Sequence, residues 1–340
     1  MKYKMNDNKE ANKQFNKIGI AYIIGTLLAY GIQYGVIALV KIGLLGNYLA
    51  EKFDNDGNIQ LVVLYIPLIF IVYPLFLLCI SKSGKKNAIE EHNMSVGQII
   101  LAFIMTYSAT YVCNIIGAII TAVVGLIKGG AVTNPLIDMV MGTNIIVEIL
   151  VMVIAAPICE ELIFRKFLVD RIIKYGEGVA IVVSGLLFAL FHGNVSQAVY
   201  AFTIGAFFAF IYIRTGRIRY TMIIHGMLNF MGSVAAGSIL KALDFGKMMG
   251  YLSSGDIDSY MQFVMDNAQA FAIAGIYFLF IFIIVILGII FWIVFRKKFF
   301  LKPAQNAIPK GERFKTVIIN PGMIIYLLFW IVMIIVQLFS

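Results

Sequence analysis

Long apolar runs recur along nearly the whole chain, and every other feature has to be compatible with them. They cover Ile18–Leu45, Leu61–Ile80, Gln98–Ile127, Ile145–Arg165, Val179–His192, Gln197–Ile213, Tyr220–Leu240, Gln269–Phe295 and Val317–Phe339. A helix needs about 20 such residues to cross a bilayer. In hydrocarbon the backbone must satisfy its own hydrogen bonds, which leaves helices for a chain patterned this way. The expected fold is therefore all-α: a polytopic transmembrane helical bundle of about nine spans. Val179–His192 is short for a span, so it should borrow polar flanks or end inside the protein. With 61% hydrophobic and 13% charged residues and a mean hydropathy of +0.91, a soluble domain is excluded.

The charges orient the bundle. With the N-terminus cytoplasmic, 22 of the 27 basic residues fall on inner segments and four (Lys52, Lys128, Lys241, Lys247) on outer ones, while Lys41 lies in a span. That asymmetry is the positive-inside signature. It also accounts for the net charge of +9 without nucleic acid, because the basic residues are scattered in short inter-helix segments. The first apolar run is too long for a signal peptide and should remain as a span. The expected organisation is a cytoplasmic tail over 1–17 and N-terminal helices over 18–144. A catalytic helical core over 145–240, an acidic extracytoplasmic loop over 241–268 and C-terminal helices over 269–340 follow. No internal repeat is evident, and one Gly125-x-x-x-Gly129 spacing at a span end carries little weight.

Against this background the turn Glu160-Glu161-Leu162-Ile163-Phe164-Arg165 stands out. A charged side chain near a helix centre costs about 2.5–3.5 kcal/mol on insertion scales, so such groups are paired, wet or used. Glu161 and Arg165 are four apart with the acid first, the favourable order for a helical pair. Glu160 is turned about 100° away and has no such partner. Two of the three histidines also lie in apolar surroundings: His192 closes Phe188-Ala189-Leu190-Phe191-His192, and His225 opens His225-Gly226-Met227-Leu228-Asn229. His92, in a charged inner loop, is expected to be solvated. A turn over Lys174–Gly178 would put Glu160 and His192, each 16 residues from Gly176, at similar depth. His225 should lie about 9 Å above the basic turn Arg214–Arg219. For Glu160 to reach that level, the stretch from Arg165 to Lys174 would have to project beyond the membrane as a charged helix. Cys79, Cys113 and Cys159 all lie in apolar segments and read as packing residues. Cys159 beside Glu160 is the one thiol to weigh as a nucleophile, and no histidine lies at helical spacing from it.

A carboxylate and an imidazole facing one water can share removal of its proton. A second imidazole and an amide can donate to an oxyanion in a low-dielectric pocket. The set therefore describes hydrolysis of an acyl bond without a cofactor. Glu160, His192 and His225 also have the His₂Glu composition of catalytic Zn2+ sites. There is no H-E-x-x-H, and each ligand would come from a different span.

Taken together, Glu160-Glu161-x-x-x-Arg165, Phe188-x-x-x-His192 and His225-x-x-x-Asn229, in this order on successive spans, resemble the CAAX prenyl endopeptidase and bacteriocin-processing family, also called type II CAAX or ABI proteases. The resemblance covers about Leu150–Val234. It implies an intramembrane glutamic-type endopeptidase opening toward the cytoplasm, with Glu160 and His192 activating water. His225 and Asn229 would form the oxyanion hole, with Glu161 and Arg165 in support. The implied partners are the bilayer and a peptide or protein substrate, membrane-associated or lipidated substrates included, and no nucleic acid. The implied setting is a multi-pass protein of a bacterial cytoplasmic membrane, acting in bacteriocin processing or self-immunity. The alternatives are a non-catalytic immunity or scaffold protein and a transporter using Glu160 and the histidines as a proton relay.

Overall fold

The computed structural model describes residues 2–130, 142–304 and 306–339, with side chains from residue 8 onward. The expected tail and N-terminal helical region thus fall partly outside the described residues, at 1 and 131–141. Among the described residues the structure is entirely helical. Its main helices are α1 (Lys2–Lys41), α2 (Gly57–Ser81), α3 (Val96–Lys128), α4 (145–172), α5 (Glu177–Phe191), α6 (Val195–Thr215) and α7 (Ile218–Ala242). Then come α8 (Phe245–Ser254), α9 (Ile257–Asp266), α10 (Ala268–Lys298) and α11 (Pro321–Phe339).

Helices occupy all nine apolar stretches. Seven of them (α1, α2, α3, α6, α7, α10 and α11) are long and apolar enough to cross a membrane. Of the other two, α4 carries Glu148, Glu160, Glu161 and Arg165, and α5 has only 15 residues. The protein is a multi-pass integral membrane protein. Loop contacts collect at two opposite ends of the bundle. At one end, Arg214 forks onto Glu177 at 2.7 and 2.9 Å, Asn87 N donates to Asp170 O at 2.6 Å, and Ile308 N donates to Tyr175 O at 3.1 Å. This end gathers the basic loops. At the other end, Asn144 N donates to Asn58 Oδ1 at 2.7 Å, Lys241 pairs with Glu148 at 2.9 Å, and Lys128 Nζ donates to Leu338 O at 3.4 Å.

Two turns with left-handed glycines shape the helices that carry the site. Gly176 (φ 116°) reverses the chain between α4 and α5, and Gly193 (φ 67°) reverses it between α5 and α6. Positive φ is cheap only without a Cβ. Asn194 then caps α6 by accepting from Gln197 N at 2.8 Å. The α5–α6 hairpin packs tightly because Gly185 and Gly205 face each other across it. A Cβ on Gly205 would sit 3.1 Å from Gly185 Cα.

In the stretch from Arg165 to Lys174, expected as a charged helix projecting beyond the membrane, most of the charged groups pack against neighbouring helices. Arg165, Asp170 and Arg171 are buried. Tyr212 donates to Asp170 at 2.6 Å, Lys166 pairs with the same carboxylate at 3.2 Å, and Gln14 donates to Arg171 O at 3.1 Å. Buried polar groups are costly when unpaired, and here neighbouring helices supply partners that the local sequence could not reveal. The acidic stretch 241–268 is likewise structured. Helices α8 and α9 expose Met249, Leu252, Ile257, Met261 and Met265, as interfacial helices do. Its acids include helix caps: Asp256 accepts from Ser259 N at 3.0 Å, and hydrogen bonds from Ser259 hold its carboxyl below the usual range.

Helices α1 and α11 touch through glycine. A Cβ on Gly19 would lie 2.2 Å from Gly322 C, whereas one on Gly31 would meet nothing. Gly19→Ala should therefore push two backbones apart and cost about 1–3 kcal/mol, the usual range for overpacking. Thermal melts of both alanine variants check this: Gly19→Ala is expected to melt well below the parent and Gly31→Ala close to it.

Candidate active site

Pro157 fixes the local shape of α4. It lacks an N–H and its ring clashes with the carbonyl four residues back, that of Val153. The helix widens to π-type turns over Ile149–Ala155 and again over Leu162–Phe167, on either side of the turn holding Glu160 and Glu161. Such wide turns release carbonyls from the helix ladder and recur at functional sites. Two of these carbonyls are used by α7. Met152 O accepts from Asn229 Nδ2 at 2.8 Å, and Val153 O faces Gly226, where a Cβ would lie 2.9 Å away. Gly226 is the residue that lets α7 approach, and with it His225 and Asn229.

The two adjacent carboxylates have different surroundings. Glu161 and Arg165 are fully buried, with Oε1 and Nη1 2.9 Å apart. Arg165 also donates to Gly205 O at 3.3 Å and lies against the Phe188 and Phe208 rings, 4.4 and 5.3 Å from their centroids. His225 Nδ1 lies 3.0 Å from the same Glu161 oxygen. Glu160 keeps 16% of its side chain exposed, and His225 Nε2 lies 3.7 Å from its carboxylate. His192 Nδ1 lies 2.8 Å from Phe188 O. A carbonyl can only accept, so Nδ1 carries the proton and the neutral ring has a free lone pair on Nε2.

Glu160, His192, His225 and Asn229 all line one cavity of about 820 Å³, within the range of ligand sites. Glu161 and Arg165 lie behind its wall. Cys159 does not line it, and His92 sits apart on the basic face beside Glu90 at 3.4 Å. Among the described residues no three His, Cys, Asp or Glu side chains form a group suited to hold a metal. The sequence-predicted site residues thus come together around one cavity, with Glu161 and Arg165 packed behind it. His225 sits between the two carboxylates, Nδ1 at 3.0 Å from Glu161 and Nε2 at 3.7 Å from Glu160. Sequence reasoning missed Gly226, Gly205 and the tyrosines Tyr30, Tyr65, Tyr73, Tyr107, Tyr111 and Tyr200 that line the cavity. Gly226 was legible only as the neighbour of His225, and the tyrosines carry no local signal.

The cavity has a direction. Its inner end is closed by Tyr22, Phe76, Phe164 and Phe188, all fully buried, with Tyr22 packed on Phe76 and Phe164, and Phe164 on Phe188. From that level the lining runs along α1 through Thr26, Tyr30 and Gln33, and along α7 from His225 to Leu240. Both paths lead away from the basic face. The resemblance implies an opening toward the basic, cytoplasmic side, and the cavity runs the other way.

A polytopic helical membrane protein with a carboxylate, two imidazoles and an amide gathered at the closed end of an internal cavity is what this fold and site define. Residues 142–231, about a quarter of the 340, match the model of the type II CAAX prenyl endopeptidase Rce1-like family, and all six residues above fall in that segment. The resemblance read from the three motifs therefore holds, and the segment that carries the site is CAAX-protease-like. The chain is also 27% identical over 220 residues to a Bacillus subtilis (strain 168) protein named "Putative membrane peptidase YdiL", covering 64% of this chain and 86% of that protein. No solved structure matches the chain.

Proposed function

We propose that the protein is an intramembrane endopeptidase that hydrolyses peptide bonds with a water activated by Glu160. The convergence of Glu160, His192, His225 and Asn229 from three helices on the closed end of one cavity carries this reading. Glu160 takes a proton from water, and the hydroxide oxygen bonds to the scissile carbonyl carbon. His192, with its Nε2 lone pair free, shares that proton. The carbonyl oxygen becomes an oxyanion. Asn229 spends one amide proton on Met152 O and offers the other. His225 can donate from Nε2 only as the imidazolium, because its Nδ1–H is directed at Glu161. The C–N bond then breaks, and the proton held by Glu160 or His192 passes to the leaving amine. Glu161 and Arg165 act by holding His225 in place.

In this reading 145–240 is the catalytic core, and the flanking helices shape the cavity wall through residues such as Tyr30, Tyr65 and Trp330. A bacterial cytoplasmic membrane is the proposed setting, and bacteriocin processing or self-immunity is the role the family resemblance suggests. The reaction is proposed to need no metal. A zinc ion would require its ligand atoms about 2.0–2.2 Å from one point, whereas a water held between Glu160 and His192 needs only about 2.6–3.2 Å contacts. The test is cleavage of a peptide library by purified protein, before and after exhaustive chelation. Cleavage that survives chelation is expected. Loss on chelation with recovery on added zinc would reassign Glu160 and the histidines as ligands, and absence of any cleavage would reject the peptidase reading.

A further inference from the structure

The direction of the cavity bears on where its substrate comes from. On every helix that lines it, the lining begins at one level and continues only away from the basic face. That level is marked by Tyr22 OH donating to Ile163 O at 3.0 Å, Ser184 Oγ donating to Phe164 O at 2.8 Å, and Tyr326 OH donating to Leu187 O at 3.2 Å. Beyond it, the cavity passes Tyr30 and Gln33 on α1, Trp330 on α11, and Gly232 and Ala236 on α7. Beneath it, the aromatic floor and the Arg165–Glu161 pair are fully buried and lie between the cavity and the basic loops. Those loops carry most of the positive charge, which marks the cytoplasmic side of a membrane protein.

We infer that the site takes its substrate from the extracytoplasmic side. The substrate would be a peptide segment presented there, either an exported chain or the outer portion of a membrane-anchored one. The cavity chemistry narrows the class further. Among the described residues, Glu160, His192 and His225 are the only acidic or basic groups in its lining, and hydroxyl and amide groups of tyrosine, serine, threonine, asparagine and glutamine supply the remaining polarity. An unpaired charge would be costly to carry into such a wall, whereas a peptide backbone finds donors and acceptors there. The segment around the scissile bond is therefore uncharged. The word substrate rests on the peptidase reading, and the direction of access does not.

The test is labelling of single added cysteines by a membrane-impermeant, charged methanethiosulfonate, in intact cells and in inverted membrane vesicles. Label is counted above that of the parent chain with its three native cysteines. Gly232→Cys reports the cavity, because a Cβ there meets nothing within 4 Å. Gly311→Cys reports the basic face and Ser254→Cys the opposite one, both at exposed positions. Gly232→Cys is expected to react together with Ser254→Cys, at least tenfold faster in intact cells than in inverted vesicles, with Gly311→Cys showing the reverse. Reaction of Gly232→Cys in step with Gly311→Cys would overturn the inference. So would an exchange of sides between the two reference positions, or a Gly232→Cys unreactive from both sides. Labelling as expected in a protein that cleaves no peptide would leave the direction of access standing and remove the peptidase reading instead.

Discussion

Glu160→Gln is expected to abolish peptide cleavage while leaving the fold intact. The amide is nearly isosteric with the carboxylate, and it cannot take a proton from water. A positioned general base contributes about 10²–10⁴-fold, so turnover should fall by at least that range. Stability should change little, within about 0.5 kcal/mol as for substitutions that break no network. Glu160 is part exposed to the cavity, and the nearest atom it could pair with, His225 Nε2, is 3.7 Å away. The measurement is turnover on a cleaved library peptide, together with a melting curve in the same detergent. A variant that keeps a tenth or more of the parent rate would remove Glu160 from the role of base.

The neighbouring acid should behave in the opposite way. Glu161→Ala removes the partner of a fully buried guanidinium and the acceptor of His225 Nδ1 at once. Breaking a buried pair from one side costs about 3–5 kcal/mol, because the remaining charge is left uncompensated in a low-dielectric interior. Arg165 cannot escape to water: it is enclosed by Phe188, Phe208 and the Gly205 carbonyl. The expected result is a large drop in melting temperature, with any activity loss following from misplaced His225. Equal melting temperatures for Glu160→Gln and Glu161→Ala would show that the two carboxylates do not differ in the way their burial indicates.

This division between adjacent residues was readable from helical spacing. Four residues separate Glu161 from Arg165, and that places the pair on one face whatever else the chain does. The same holds for the all-helical membrane architecture, since apolar runs of span length leave a backbone in lipid few other ways to satisfy its hydrogen bonds. The positions of His192 and His225 as polar residues in apolar surroundings were equally plain, because their cost in lipid is a property of residue and neighbours alone.

Other features depended on contacts between distant segments. Pro157 signals a distorted helix in the sequence, but nothing local says that the freed Met152 carbonyl meets Asn229, 77 residues later. His225 lies between two carboxylates on another helix, and that required Gly226 to admit the Val153 carbonyl. Nothing local to the charged stretch after Arg165 says what would pair with it, yet Gln14, Asn87 and Tyr212 from three other segments supply its partners and bury it. The cavity belongs wholly to this second class. Its lining is assembled from eight helices, so the side on which the site opens is fixed by packing and not by any motif. Sequence alone determined which residues could not sit idle in a membrane. The tertiary structure decided what each of them faces, because a buried polar group is satisfied by whichever distant segment the packing brings to it.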